Sequence, residues 1–324
     1  MTAVLFVTDP LETLLADIDA TIGLMVAARE HGAEVWACEP EDLSVDGGRV
    51  LARSRRLDLA HRTRGSDHRW QVDGPWFAEV ERRTLDVAAD VEVTLLRIDP
   101  PVDARYLHTT YLLDHVEACG GRVANRPAGI RALHEKLVTL QLAHLCPETV
   151  VTADPRRVRE LVARRGAAVV KPVDGFAGLD VWLVRDDDAA TSLLESATRG
   201  GRRHVIAQEY LADVEHGNKR LFLLDGEIAG AVLRRPAPGD FRIGAPVAAA
   251  EVDEADLAIA AALGPLLAAN GIALAGVDVI AGRLIEVNVT CPGGMHKTDA
   301  LLGTDLSGAT VRRLLLHERT PSWT

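Results

Sequence analysis

Lysine is nearly missing from this chain. Of 36 basic residues in 324, only Lys136, Lys171, Lys219 and Lys297 are lysine. Arginine serves almost everywhere else, so the remaining lysines are candidates for a compact ammonium that a guanidinium fork cannot replace. Chance codon usage is the competing reading for any one of them. Aromatic residues are also scarce, at 4% against 48% hydrophobic overall, so the core is expected to consist of Ala, Val and Leu. Cys38, Cys119, Cys146 and Cys291 are scattered, with no Cys-x-x-Cys pair and no histidine cluster. That pattern argues against a structural zinc site and for a reduced, cytoplasmic setting.

No apolar run approaches the ~20 residues of a membrane span. The segment AVLFV (3–7) is too short, and lacks the basic flank, for a signal peptide; it reads as a first buried strand. Asn288-Val289-Thr290 fits the glycosylation pattern, but without a secretory signal it is a chance match. Acidic residues outnumber basic ones, 47 to 36, for a formal charge of −11. That balance argues against nucleic acid or an anionic membrane as main partner.

The length suffices for two or three packed subdomains. Strand patterns AVLFVTD (3–9), AEVWACE (33–39), VEVTLLRID (91–99) and RVANRP (122–127) alternate with helix patterns at 14–32 and 111–121. This is an α/β, Rossmann-like parallel sheet. No Gly-x-Gly-x-x-Gly follows the first strand, which disfavours the usual dinucleotide fold. Residues 53–70, basic and weakly periodic, read as a solvated hairpin or mobile loop, or else as a local anion contact. From residue 146 the rhythm changes to an α+β module: helix 155–166, strand 167–173, loop DGFAG (174–178), strand 179–185, helix 188–199 and strand 204–211. Strands at 220–226, 227–235, 276–282 and 283–289 follow, with a helix at 253–271 between them.

The strand–loop VVKPVDGFAG (169–178) suits a phosphate grip, because a lysine neutralises charge while a flexible loop brings N–H groups close to oxygens. A tight turn with a rim lysine would look the same. Lys136 lies in HEKL (134–137) on a helix pattern, where pairing with Glu135 on a solvated helix is the plainer reading. VIAQEYL (205–211) is a strand entering a polar connection, as at an adenine hinge or at any strand end. Arg220 opens one strand, and Arg234 and Arg235 close the next; strand arginines suggest anion clamps, and adjacent ones usually split between solvent and interior. Asp278 sits inside an apolar strand, a costly place for an unpaired carboxylate. Glu286 and Asn288, two apart on another strand, share a face. Three hard oxygen donors suit Mg²⁺, and the lack of His or Cys argues against zinc; a salt-bridge network is the alternative.

In order, the segments NRP…EKL, PET, VVKPVDGFAG, AQEYL, NKRLFLLDGE, LRRP, GVDVI and EVNVT resemble the ATP-grasp ligases, and within them the bacterial glutathione synthetases. LLRIDPPVDARYLHTTYLLD (95–114) is similar to that family's N-terminal Arg-x-Asp-Pro-Pro segment. A P-loop is excluded, since GGMHKT lacks the glycine directly before its lysine. The resemblance spans essentially the whole chain. It implies an ATP-grasp fold, α/β with α+β modules, divided into an N-terminal Rossmann-like domain (1–122), a central subdomain (123–208) and a C-terminal subdomain (209–324).

It also implies roles. Lys136 and Lys171 would contact ATP phosphates under a loop with Asp174, Gly175 and Gly178. Gln208, Glu209, Tyr210 and Leu211 would line the adenine hinge, with Asn218 nearby. Arg220 and Arg235 would stabilise the transferred phosphoryl and the acyl intermediate. Asp278, Glu286 and Asn288 would hold two Mg²⁺, with Mn²⁺ as the alternative. Arg97, Cys291, Pro292, Gly293, Gly294 and Lys297 would meet the substrates. The implied activity is an ADP-forming ligation of small-molecule carboxylate and amine through an acyl phosphate, γ-glutamylcysteine and glycine or a related pair, in a protein that could be a homo-oligomer. An ATP-grasp kinase and a non-catalytic nucleotide-binding protein are the competing readings. The chain departs from the family on the substrate side: PAPGDFRIGAPVAAAE (236–251) replaces a glycine-rich stretch, Cys291 replaces a serine, His296 and Lys297 are added, and Asn218 replaces an acid. A bulkier, proline-stiffened loop is expected at 236–251.

Overall fold

The computed structural model describes residues 2–175, 178–187 and 190–316. Phe176 and Ala177 of the expected phosphate loop, and the first two residues of the helix expected at 188–199, lie outside the described residues.

The chain opens with β1 (Ala3–Thr8), buried at every position, then α1 (Ala20–Glu30) and β2 (Glu34–Cys38). Next come β3 (Leu43–Asp46), β4 (Arg49–Leu59), the hairpin strands β5 (Arg62–Arg64) and β6 (Trp70–Val72), and β7 (Phe77–Asp86). A short α2 (Val87–Asp90), β8 (Val93–Arg97), α3 (Ala104–Ala118) and β9 (Val123–Ala124) complete the unit. The sheet order is β3-β4-β2-β1-β8-β9, with β7 on β4; β4 runs antiparallel to β2, β3 and β7, so the sheet expected to be parallel is mixed. β1 runs parallel to both β2 and β8, so Thr8 and Arg97 end neighbouring strands at the same edge. The strand order reverses between β1 and β8, and ligands of parallel sheets bind at such carboxyl ends.

Two further expectations are corrected. Arg53–Leu59 is no solvated loop but the larger part of β4, in which Val50, Ala52 and Ser54 are buried on one face. Arginines at 53, 55 and 56 hide that period of two; only the segment after Leu59 forms the hairpin. The helix expected over 14–32 is also shorter, running only over Ala20–Glu30. The Asp19 carboxylate caps a helix that begins at Ala20, and residues 20–28 are all buried, because the C-terminal helices cover its outer face.

The central unit contains α4 (Pro127–Ala132), a 3-10 segment at Leu137–Leu145, β10 (Thr149–Thr152), α5 (Pro155–Arg165), β11 (Ala167–Pro172), β12 (Trp182–Arg185), α6 (Ala190–Ala197) and β13 (Val205–Glu209). Its antiparallel sheet runs β10-β13-β11-β12. Lys136 is not on a helix. Glu135 is docked through its carbonyl on the Val287 N–H at 3.0 Å, and that tie to a neighbouring strand interrupts the helical turn.

The last unit holds β14 (Asn218–Leu224), β15 (Glu227–Pro236), β16 (Ile243–Ala249), α7 (Glu254–Ala269), β17 (Leu274–Ile280), β18 (Arg283–Asn288), α8 (Met295–Leu302) and α9 (Leu306–Leu316). The order is β16-β15-β14-β17-β18, all antiparallel. The segment 236–251, expected as a loop, thus carries an edge strand. Its Pro246, opposite Arg234, is tolerated because an edge strand needs no N–H on its outer side and a bulge lies there. CPGGMHKT (291–298) is likewise only half loop, since α8 starts at Met295.

Two apolar clusters each mix N-terminal and C-terminal residues, Leu5 with Val277 in one and Phe6 with Phe222 in the other. A third, around Val158, Leu161, Leu194 and Val205, belongs to the central unit alone. The site lies where that separately packed unit faces the C-terminal sheet.

Candidate active site

Antiparallel register builds the floor of the site. Arg220 stands opposite Asp278, Asp278 opposite Glu286, Asn218 opposite Arg234, and Gly276 opposite Asn288. Directly opposed residues share a face, so β14, β15, β17 and β18 present these side chains together. They line a cleft of about 300 Å³, with Lys171, Gly178, Gln208, Glu209, Tyr210 and Leu211 on the facing wall. A recess of about 110 Å³ holds Lys136, Lys171, Gly175, Gly178 and Glu286.

The charges are strongly coupled. Arg220 donates Nε–H to Asp278 Oδ1 at 2.5 Å and Nη2–H to Oδ2 at 3.0 Å, and Arg234 Nη2 adds a contact to Oδ1 at 2.6 Å. Burial alone would raise the Asp278 carboxyl, but the two guanidiniums hold it at about 2. The arginines respond in opposite directions. Burial would lower both; for Arg220 the Asp278 charge outweighs it and the group is raised, whereas Arg234 stays lowered, with the Arg220 charge adding to its burial. Arg234 also donates to Asn218 Oδ1 through Nε at 3.1 Å.

Lys136 Nζ lies 3.7 Å from Glu286 Oε2 and donates to the Gly175 carbonyl at 2.5 Å. Lys171 is 8% exposed; burial lowers its ammonium, against the opposing charge of Glu286. Glu135 stands behind them. Its Oε1 accepts from Thr290 Oγ1 at 2.5 Å and from the N–H groups of Val289 and Thr290 at 3.2 Å each. Burial, with the nearby Glu286 charge, raises its carboxyl.

At the hinge, the Glu209 N–H donates to Glu148 O at 2.8 Å and the Tyr210 N–H to Ala167 O at 3.2 Å. The Leu211 N–H has no partner among the described residues, and the apolar wall beside it consists of Val169, Val181 and Ile285. Beyond the floor lies the β1–β8 crevice. Arg97, 4% exposed, donates to Thr21 Oγ1 at 3.3 Å and to Pro292 O at 3.2 Å. Cys291 Sγ donates to Arg97 O at 3.7 Å, and burial pushes its thiol up. Arg220 Nη1 reaches the Gly293 carbonyl at 3.3 Å, which joins the two places. Gly294, at φ +98°, turns the chain into α8.

Some expected residues lie elsewhere. Arg235 is exposed and outside the cleft, because the register aims its neighbour Arg234 inward. Asp174 is exposed, 3.4 Å from His134, on the rim of a second pocket of about 230 Å³ across Lys136 and Gly175. Lys297 is half-buried on α8, lines neither the cleft nor the recess, and has no partner among the described residues. Lys219 is structural: it pairs with Asp253 at 2.8 Å and with Asp256 at the start of α7. Sequence reasoning missed Glu135, Phe241 and Arg242, the last two brought to the cleft by β16. Asp278, Glu286 and Asn288 offer only oxygen donors, a set that fits Mg²⁺ with phosphate oxygens and water completing it. Asn288 spends its Nδ2 on Gly276 O at 3.1 Å, leaving Oδ1 without a partner among the described residues, while both Asp278 oxygens already accept from guanidiniums. A wider, open depression of about 900 Å³ near Asp154 and Glu195 gathers no such set.

A cleft between a small antiparallel sheet and a larger one, with Lys171 on one wall and Asp278 and Glu286 on the other, is the arrangement of an ATP-grasp fold. Solved structures with this fold include a D-cycloserine synthetase (TM-score 0.63, 21% identity, 97% of this chain and 98% of that one). Another is the ATP-grasp ligase PsnB with a minimal precursor (TM-score 0.62, 18% identity, 97% and 99%). The profile of the prokaryotic glutathione synthetase N-terminal domain matches residues 2–131, and that of its ATP-grasp domain matches residues 135–303. A glutathione synthetase of Thermosynechococcus vestitus is 40% identical over 308 residues, 93% of this chain and 96% of that one. One from Shewanella oneidensis is 30% identical over 308 residues, 93% and 94%. The chain belongs to the prokaryotic glutathione synthetase family. It is an ATP-dependent, ADP-forming carboxylate–amine ligase of that type, with small-molecule substrates and a divalent metal ion. No helix among the described residues is long and apolar enough to cross a membrane.

Proposed function

We propose that this ligase joins γ-glutamylcysteine to glycine, with Mg²⁺ as its metal. The observation that carries the reading is continuity: Arg220 touches both Asp278, on the floor of the nucleotide cleft, and Gly293, on the edge of the crevice with Arg97 and Cys291. One side chain thus spans the places where a phosphoryl group would leave and an acid would receive it.

In this mechanism an oxygen of the acid's carboxylate attacks the γ-phosphorus and ADP departs. The amine nitrogen then attacks the acyl carbon of the mixed anhydride; inorganic phosphate leaves, the nitrogen loses a proton, and an amide remains. Most of the catalysis is positioning and charge neutralisation, because a carboxylate and a triphosphate repel each other without cations between them. Lys136 and Lys171 would bind the phosphates, and the Leu211 N–H would donate to adenine with Gln208, Glu209 and Tyr210 around it. Arg220 and Arg234 would stabilise the transferring group. Glu286 and Asn288, with Asp278 shared between metal and arginines, would hold the Mg²⁺, which when bound neutralises phosphate charge. Arg97 would bind the acid's carboxylate end near Cys291, Pro292 and Gly294. The subdomain division at residues 122 and 208 follows the same scheme, and free thiols in all four cysteines support a reducing, cytoplasmic setting.

The test is ADP release against a matrix of acids and amines, with mass detection of the product. ADP should appear in quantity only when γ-glutamylcysteine and glycine are both present. A different productive pair would replace the substrates but keep the reaction, and ADP release indifferent to any amine would make the protein a kinase.

A further inference from the structure

The β5–β6 hairpin forms a two-stranded sheet of its own, yet its side chains reach the helix that follows the substrate loop. Trp70 Nε1–H donates to the His296 carbonyl at 2.9 Å, and its ring lies on the imidazole at 5.4 Å, tilted by 23°. Arg62 covers the same indole at 4.1 Å and donates Nη1–H to His296 Nδ1 at 2.7 Å. Arg64 Nη2–H donates to Leu301 O at 2.6 Å, near the far end of α8.

His296 is wholly buried, with Nε2 3.0 Å from the Ala16 carbonyl. Since Nδ1 accepts from Arg62, Nε2 carries the proton and donates it to Ala16. Burial, followed by the Arg62 charge, depresses the imidazole to about 3, so it stays neutral. Gly23 on α1 makes the room: a Cβ there would stand 2.9 Å from His296 Nδ1.

His296 therefore ties the approach to α1 to the first turn of α8. Arg97 ties the same two segments from the substrate side, through Thr21 and Pro292. Two struts between one pair of segments fix their separation where a single strut would leave a pivot.

We infer that the Arg62–Trp70–His296 stack positions the acid substrate, by holding loop 291–294 at a set distance from residues 14–21 so that Arg97 and Cys291 meet the acid in one geometry. This rests on the reading that Arg97 and that loop contact the acid. The three residues are positioning residues, since they act through α8 and touch no reacting atom.

The test uses the full-length enzyme carrying Trp70→Ala, Trp70→Phe or Arg97→Gln, with ATP, Mg²⁺, γ-glutamylcysteine and glycine. Trp70→Ala should raise KM for γ-glutamylcysteine about ten-fold and leave KM for ATP within about two-fold, as expected when reacting groups are misplaced rather than removed. Trp70→Phe, which keeps the stack, should recover most of the loss. Hydrogen exchange, which needs no substrate, should quicken in 291–300 and stay unchanged in 205–211. Unchanged exchange in 291–300, or an equal rise of both KM values with a fall in Tm, would overturn the inference. Arg97→Gln tests the underlying reading separately. If it leaves KM for γ-glutamylcysteine unchanged, the acid binds elsewhere, and quickened exchange in 291–300 would then show only that the stack holds the loop, which also overturns a role in acid positioning.

Discussion

Arg220 and Asp278 face each other on neighbouring strands and meet through two hydrogen bonds, at 2.5 and 3.0 Å, both side chains nearly buried. Gly276 leaves the space for this, since a Cβ there would lie 2.9 Å from Arg220 Nη1. With Arg234 on the same carboxylate, the trio carries one net positive charge. That surplus faces the cleft, where a phosphoryl or acyl phosphate would balance it.

The first consequence is a pH dependence. The Asp278 carboxyl is held at about 2 in the fold, against 3.8 ordinarily. Its contribution is therefore complete above the ordinary value and is lost as pH falls toward the folded one. Asp278→Asn should destabilise the protein by roughly 3–5 kcal/mol at neutral pH, as for a broken buried ion pair. The deficit should shrink as pH falls from about 4 to 2. Denaturant midpoints across that range measure it; a constant gap would refute the assignment.

Neighbouring arginines should differ. Arg234→Ala should lower kcat by about a hundred-fold or more, the usual cost of one stabilising donor at developing charge. Arg235→Ala, at an exposed position, should stay within about three-fold. Reversed magnitudes would mean that the register of β15 differs during turnover.

Glu286→Gln keeps the shape and removes the charge that faces Lys136 and that, in the proposed mechanism, would hold the metal. Turnover should fall at least about a hundred-fold, and the Mg²⁺ concentration for half-maximal rate should rise. An unchanged Mg²⁺ titration would move the metal site elsewhere.

Lys171 sets function against stability. Burial lowers its ammonium, so the fold bears a cost at neutral pH for keeping it charged. Lys171→Met should raise Tm by about 1–4 °C while KM for ATP climbs. A lower Tm would show that neutralising Glu286 outweighs the burial.

Glu135 anchors the turn after β18. Glu135→Ala should cost about 2–4 kcal/mol, because three donors on Val289 and Thr290 lose their acceptor. Thermal or denaturant unfolding measures this, and near-neutrality would mean that water replaces the carboxylate freely.

Much of this molecule was legible in its residues. The Lys171 and Asp278 strands follow from short apolar runs and the Glu286/Asn288 pair from a period of two, both local properties of a stretch of chain. The scarcity of lysine drew attention to Lys136 and Lys171, which line the recess beside Gly175 and Glu286, but it could not separate them from Lys219, whose partners Asp253 and Asp256 lie more than thirty positions away. The choice of Arg234 over Arg235 needed the pairing of β15 with β14, and one step of register turns every side chain to the other face. Glu135 read as a helix-surface residue until β18 was placed beside it. β4 was hidden by its own arginines, and the Arg62–Trp70–His296 stack joins residues more than two hundred positions apart. Alternation and composition are written along the chain. Register, burial and the partner of a charge depend on which segments fold against each other, and only the tertiary structure settles those.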